Sequence, residues 1–219
     1  MQTLYHIWKK KYIRCIIFFM YEIELKAWVD DVSATEEKIN HFAKYIGLTE
    51  KHDTYWRIKE SENGIRIRQE TGKPITATWK QKNLLQNEIE LNTEREFIIG
   101  STDFVNDTIP NEKNAEALKN SLANFEDFLK LSGFEIHLQK YKSTKTWHHK
   151  TDEFNLITIE ISYVETLGYF IEIEILSEKN DDKTVTKAQN CLHETLQKCG
   201  ISKERIETRY YWQLLKEEK

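Results

Sequence analysis

Residues that interrupt regular structure are scarce in this sequence: only two of its 219 residues are proline and seven are glycine. No Pro/Gly-rich linker, low-complexity tract or internal repeat divides it. The three cysteines, Cys15, Cys191 and Cys199, have neither metal-ligand spacing nor the even count of a disulfide framework, which points to a reduced, cytoplasmic setting. A large charge excess is missing too, since 32 basic residues face 36 acidic ones for a formal net charge of −4. Proteins that coat nucleic acid carry a strongly basic footprint, so no nucleic-acid partner is expected. Long hydrophobic runs are also absent. The apolar stretch Ile16–Phe19 after Lys9–Lys11 is too short to span a membrane and no small-residue cleavage site follows it, so no membrane association is expected. Met20 directly precedes the first strand signal and is expected to be the natural start, with residues 1–19 an extension foreign to the native protein. A weak basic membrane-surface anchor is the competing reading of that segment. Aromatic residues make up 12 % of the chain, which excludes disorder. Residues 20–217 are read as one domain.

What the sequence has instead is alternation. Six short stretches place like charges two residues apart: Glu22-Ile23-Glu24-Leu25-Lys26, Arg66-Ile67-Arg68, Lys80-Gln81-Lys82, Glu88-Ile89-Glu90, Lys140-Tyr141-Lys142 and Glu172-Ile173-Glu174. A strand points successive side chains to opposite faces, so each stretch gathers its charges on one face. Thr76, Thr78, Lys80 and Lys82 oppose Ile75, Ala77 and Trp79 in the same way, and Thr158, Glu160 and Ser162 oppose Ile157, Ile159 and Ile161. Strands are predicted at residues 21–29, 53–60, 64–70, 75–82, 86–91, 93–99, 135–147, 154–163 and 168–176. Helices are predicted from a capping box at Ser33-Ala34-Thr35-Glu36 up to Gly47, at 112–132 before Gly133, at 183–199 and at 202–217. The order is that of an α+β fold of antiparallel hairpins with covering helices.

A charged strand face most often meets water. Such faces usually mix signs between neighbours, because like charges repel and opposite charges pair. Here each strand is nearly homogeneous, and clusters of one sign need something of the other sign between them. Paired carboxylates are hard-oxygen ligands for Mg²⁺ or Mn²⁺. Arg and Lys rows suit phosphate oxygens. A metal-bound polyphosphate satisfies both sets.

The Glu22-x-Glu24-x-Lys26 motif, with the strands that follow it, resembles the CYTH family of triphosphate tunnel metalloenzymes. That family includes class IV adenylyl cyclases, thiamine triphosphatases and inorganic triphosphatases. The resemblance covers residue 21 to about 215 and implies a closed antiparallel β-barrel with a charged lumen and helices packed outside. By the same resemblance Glu22 and Glu24 match metal-binding glutamates, and Lys26 matches the basic residue that closes the opening motif. Gly64-Ile65-Arg66-Ile67-Arg68 resembles the family's L-R-x-R strand, Thr76-Ala77-Thr78-Trp79-Lys80 its L-T-x-K strand, and Lys140-Tyr141-Lys142 its K-x-R pair with lysine second. Glu160, Glu172 and Glu174 match later acidic ligands. Glu94 and Glu96 compete with Glu88 and Glu90 for an acidic pair. The ending Arg209-Tyr210-Tyr211-Trp212-Gln213-Leu214-Leu215 resembles the R-x-Y-x-x-L-L of class IV cyclases. Ile16 and Ile17 stand where those cyclases often carry His-Phe.

The resemblance therefore implies an enzyme in which Lys26, Glu22 and Glu24 are catalytic. Glu22, Glu24, Glu160, Glu172 and Glu174 would hold Mg²⁺ or Mn²⁺. Lys26, Arg66, Arg68, Lys80, Lys140 and Lys142 would bind a small-molecule triphosphate, ATP or tripolyphosphate. Conversion of ATP to cyclic AMP and pyrophosphate is the first expectation, with hydrolysis of a terminal phosphate and non-catalytic polyphosphate binding as alternatives. A homodimer is allowed by family analogy. Of the remaining residues, His148 and His149 are read as a surface turn, and His6, His41, His52, His137 and His193 have no convincing partner. Trp79, Trp147 and Trp212 are read as packing residues ahead of base-stacking ones. Cys191 and Cys199 are read as small hydrophobes, and the charged end Lys216–Lys219 as solvated.

Overall fold

A computed structural model describes residues 20–59, 61, 64–85, 88–100 and 112–217. Residues 1–19, and with them the reading of Met20 as the start, lie outside the described residues. Alternation has the consequence the sequence implies. Strands β1 (Met20–Trp28), β2 (Lys44–Ile58), β3 (Gly64–Glu70), β4 (Ile75–Leu84), β5 (Glu90–Gly100), β6 (Phe134–His149), β7 (Ile157–Val164) and β8 (Gly168–Ser177) close into one antiparallel barrel in the order β1-β5-β4-β3-β2-β6-β7-β8. Helices α1 (Val32–Asn40), α2 (Glu112–Leu131), α3 (Asp182–Lys198) and α4 (Tyr211–Glu217) complete the α+β fold.

The apolar faces of β1, β7 and β8 point outward and are covered by helices, whereas Leu48 of β2, Phe97 of β5 and Tyr141 of β6 stay exposed. Ile23, Leu25 and Ala27 of β1, Ile157 and Ile159 of β7, and Ile171 and Ile173 of β8 are wholly buried beside Ile39 of α1 and Ala188, Leu192 and Leu196 of α3. Each fully buried Ile or Leu contributes roughly 1.5–3 kcal/mol relative to exposure. Cys191 and Cys199 belong to this core as free thiols. A second core packs Trp56, Ile67 and Ile75 against Leu129 of α2. A third, at one end of the barrel, joins Val164 and Phe170 to Tyr211 and Leu214 of α4. Gly133, at φ +85°, ends α2 in the left-handed conformation that glycine adopts without strain.

Several local expectations are corrected. The first helix ends at Asn40 instead of running to Gly47, because Lys44–Ile58 forms a strand whose partner β6 spans Phe134–His149. Ladder pairing outweighs the helical spacing of Phe42, Ala43 and Ile46 there. Its cap is Asp31, whose Oδ1 accepts from the Ala34 N–H at 3.0 Å, and not Ser33. The strands expected at 86–91 and 93–99 are one strand, Glu90–Gly100. The helix expected at 202–217 is a 3₁₀ turn at Lys203–Arg205, then an extended stretch bridging Ile206 to Ala27, then α4. His149 is not on a surface turn: it is buried at the end of β6, its Nδ1 lying 3.1 Å from the Phe42 carbonyl. Lys216 and Glu217 are exposed as expected, but Tyr211 and Leu214 earlier in α4 are buried. Among the described residues no helix is long and apolar enough to cross a membrane.

Candidate active site

The charged faces point inward. Glu22, Glu24, Lys26, Arg66, Arg68, Lys80, Lys140, Lys142, Glu160, Glu172 and Glu174 all line a single cavity of about 160 Å³ in the lumen. Their adjacency follows from register: Glu24 lies opposite Glu174, Lys26 opposite Glu172, and Glu160 opposite Glu172 across β7 and β8.

Three of the five expected metal ligands converge. Glu22, Glu24 and Glu174 each offer a carboxylate oxygen within 4.8 Å of the others. Such an all-oxygen set is what Mg²⁺ and Mn²⁺ take. The Lys80 ammonium supplies a counter-charge, 2.5 Å from Glu22 Oε2, 2.9 Å from Glu24 Oε1 and 3.4 Å from Glu94 Oε1. Asn92 donates its amide to Glu24 at 2.9 Å. Burial, followed by the nearby Glu22 and Glu160 carboxylates, pushes Glu174 well above the ordinary carboxylate range. Half-buried carboxylates crowded by their own kind attract added positive charge, so the three converging oxygens fit a divalent ion.

The other two expected ligands are engaged by lysines. Glu160 pairs with Lys51 at 2.7 Å and lies 3.8 Å from Lys142, which also donates to Glu172. Burial alone would raise the Glu172 carboxyl, but Lys142 and Lys140 hold it far below its usual range. Arg68 grips Asp53 through two hydrogen bonds of 2.7 and 2.9 Å, and Lys140 approaches the same carboxylate at 3.2 Å. Arg66 donates to Thr78 Oγ1 at 3.2 Å, and Thr78 donates to Glu96 at 2.9 Å. Of the competing acidic pairs, Glu94 and Glu96 sit beside Lys80 and Thr78, Glu90 pairs with Lys82, and Glu88 precedes β5 in the left-handed region at φ 62°.

One end of the lumen is stopped by the C-terminal segment. The Lys26 ammonium donates to the Arg209 carbonyl, and Lys82 donates to the Thr208 carbonyl at 2.5 Å. The Tyr211 ring lies 4.4 Å from Lys26 Nζ and 4.3 Å from Lys140 Nζ, within cation–π range. Burial lowers Lys26 and Lys140 to about 8 each, against the pull of Glu172 and Asp53 respectively. Beside this stopper the Arg57 guanidinium covers the Trp212 indole at 4.3 Å, and His137, given no role from sequence, meets the indole edge at 5.5 Å.

Sequence reasoning missed Lys51, Asp53 and Asn92, all buried in the lumen wall, and the stopper residue Tyr211. Lys51, Asp53, Tyr55 and Arg57 do alternate along β2. Their mixed signs and the polar His52 and Thr54 between them hide the period.

A family model for the CYTH domain matches residues 20–211. No curated protein sequence matches the chain. Among solved structures, a protein from Pyrococcus horikoshii is similar at 21 % identity and TM-score 0.65, covering 90 % of this chain and 99 % of its own. A candidate adenylate cyclase from Vibrio parahaemolyticus is similar at 16 % identity and TM-score 0.61, covering 90 % of this chain and 98 % of its own. A candidate adenylyl cyclase from Hippeastrum, described as having a dominant triphosphatase activity, is similar at 14 % identity and TM-score 0.56, covering 91 % of this chain and 96 % of its own. At these identities the likeness to the three structures is one of fold.

Proposed function

The chain belongs to the CYTH domain family, and from that premise we propose that it is an enzyme that converts a small-molecule triphosphate with the help of Mg²⁺ or Mn²⁺. The observation that supports this most is the convergence of Glu22, Glu24 and Glu174 in the same cavity as Lys26, Arg66, Arg68, Lys80, Lys140 and Lys142. A lumen built only to bind anions needs cations and few carboxylates, whereas this one has a cluster fit for a metal beside its cations.

In this reading Glu22, Glu24 and Glu174 hold the divalent ion, with Glu160 and Glu172 in reserve behind Lys51 and Lys142. The bound ion would neutralise charge on the phosphoryl oxygens and favour ionisation of the attacking hydroxyl or water. The basic side chains bind and straighten the triphosphate. Arg66 and Arg68 do so through planar forks, and Arg68 is held in place by Asp53. Lys26, Lys140 and Lys142 are fixed around Tyr211. Catalysis is then mostly positioning and charge stabilisation.

The first product assignment is cyclic AMP plus pyrophosphate from ATP, following the opening motif and the Arg209–Leu215 ending. A specific observation favours a second reading, hydrolysis of the terminal phosphate. Arg209 is turned out of the lumen onto Glu207 and Glu217 at 2.6 Å each, so of that ending Tyr211 and Trp212 reach the cavity together with Tyr210. The deciding experiment is product analysis after incubation with Mg²⁺ or Mn²⁺ and either ATP or tripolyphosphate. Cyclic AMP with pyrophosphate establishes the cyclase, orthophosphate with a diphosphate (ADP or pyrophosphate) and no cyclic AMP establishes the triphosphatase, and metal-dependent binding without product leaves a silent binding module. The buried free thiols Cys191 and Cys199 suit a reducing cytoplasm.

A further inference from the structure

Trp212 is the one described tryptophan on α4, and it is placed unlike the core tryptophans. Trp56 and Trp147 are each 1 % exposed within apolar cores. Trp212 belongs to none of the three cores and lines the charged cavity, half-buried at its α4 end. Its neighbours there are planar or cationic: Arg57 over the ring, His137 at the edge, and Tyr210 nearly parallel at 22° and 6.2 Å. Lys82, whose ammonium sits 4.5 Å over the Tyr210 ring, connects this group to the cations of the lumen. Gly64 lies opposite Arg57 in the β2–β3 ladder. A Cβ on it would come within 2.7 Å of the Trp56 carbonyl oxygen and 3.0 Å of Arg57 Cγ. The absence of a side chain at 64 therefore keeps Arg57 laid across the indole.

We infer that Trp212 and Arg57, with His137 at the indole edge, form a stacking subsite for the base of a nucleoside triphosphate. The inference rests on the triphosphate reading above and adds to it the organic part of the substrate. Aromatic rings and guanidinium planes stack on bases without requiring a particular hydrogen-bond pattern. A triphosphate whose α4-end contacts are Lys26 and Lys140 can place its organic group at the same end, beside Trp212. The Arg57 charge selects among organic groups: it repels a cationic ring such as a thiazolium and tolerates a neutral purine. Inorganic tripolyphosphate has nothing to place there.

The test compares dissociation constants for ATP and for tripolyphosphate, both with Mn²⁺, across the wild type, Trp212→Ala, Trp212→Phe and Arg57→Gln. Trp212→Ala is expected to weaken ATP about five- to a hundred-fold, the range of one lost base stack, and to move tripolyphosphate by less than about twofold on the same scale. Trp212→Phe should retain most ATP affinity, and Arg57→Gln should weaken ATP selectively. Tripolyphosphate binding doubles as the check that each variant is folded. If Trp212→Ala does not fold, Arg57→Gln and Trp212→Phe decide the question. Equal losses for both ligands, or no loss for ATP, overturn the subsite and leave the triphosphate reading intact. A wild-type protein that binds neither ligand overturns the triphosphate reading itself.

Discussion

At the scale of single residues, Glu24 carries the clearest consequence. Its carboxylate accepts from Lys80 and from Asn92, each at 2.9 Å, and it is one of the three converging on the metal position. Glu24→Gln removes that charge but leaves Lys80 paired with Glu22 at 2.5 Å. Turnover of either triphosphate should fall by on the order of 10²–10³-fold, with an unchanged circular-dichroism spectrum and melting temperature. Full metal-dependent turnover in the variant would sink the ligand assignment. Lys140 gives a second expectation, in pH. Burial lowers it to about 8 despite the attraction of Asp53, and burial brings Lys26 to about 8 as well. Both are cationic below that pH and neutral above it. Affinity for tripolyphosphate should therefore decline as pH rises through about 8, and Lys140→Arg, which stays charged, should bind better than wild type at pH 9. A flat wild-type profile from pH 6.5 to 9.5 would contradict the placement of these lysines on the anion.

Among the elements, α4 depends on a short latch. The Glu207 N–H donates to the Lys26 carbonyl at 2.7 Å, continuing the Ile206–Ala27 bridge along β1. Its carboxylate accepts from Arg209 Nε and Nη2 at 2.9 and 2.6 Å and from Trp28 Nε1 at 3.2 Å. Burial alone would raise this carboxyl, but the Arg209 hydrogen bonds dominate and hold it at about 2. A folded value below the unfolded one means stability that is present above the ordinary carboxylate range and is lost as pH falls toward about 2. Glu207→Gln should lower the melting temperature at pH 7 by about 3–10 °C, as expected for losing a charge-assisted hydrogen bond in a chain of this size. That gap should close between about pH 5 and pH 2, which a melting series over pH measures. A gap that stays constant down to pH 2 would remove the ionised latch. The same segment shows where the sequence was readable and where it was not. Homogeneous charge alternation marked β1, β3, β4 and β8 and the facing of their side chains, because period two has one structural meaning. The stretch 202–217 carries helix-forming residues throughout, and only the docking of Ile206 and Glu207 on β1 breaks it. Asp53 was invisible for a related reason: its worth comes from Arg68 and Lys140 on two other strands, and no local pattern records a partner so distant.

For the molecule as a whole, the barrel takes many ionised groups out of water, and ion pairing returns little net stability for their desolvation. Lys80 among Glu22, Glu24 and Glu94, and Glu174 pushed up beside Glu22 and Glu160, are arrangements that added positive charge would relieve, and Lys140 crowded by Lys142 and Arg68 is one that an anion would relieve. The outer cores hold the wall closed regardless, since Ile23, Leu25, Ile159 and Ile173 are buried without any contribution from the lumen. The folded barrel should therefore exist without ligand and gain stability with it. A ligand at about a hundred times its dissociation constant stabilises the native state by roughly 2.7 kcal/mol, which for a chain of this length is a rise of about 5–10 °C in melting temperature. Tripolyphosphate with Mn²⁺ should produce that rise, either alone should give less, and chelation of the metal should return most of it. The dependence on both partners is the informative part. A rise with tripolyphosphate that ignores chelation would show the cations acting without the Glu22–Glu24–Glu174 cluster. No rise with the pair would mean that the lumen charges serve only one another.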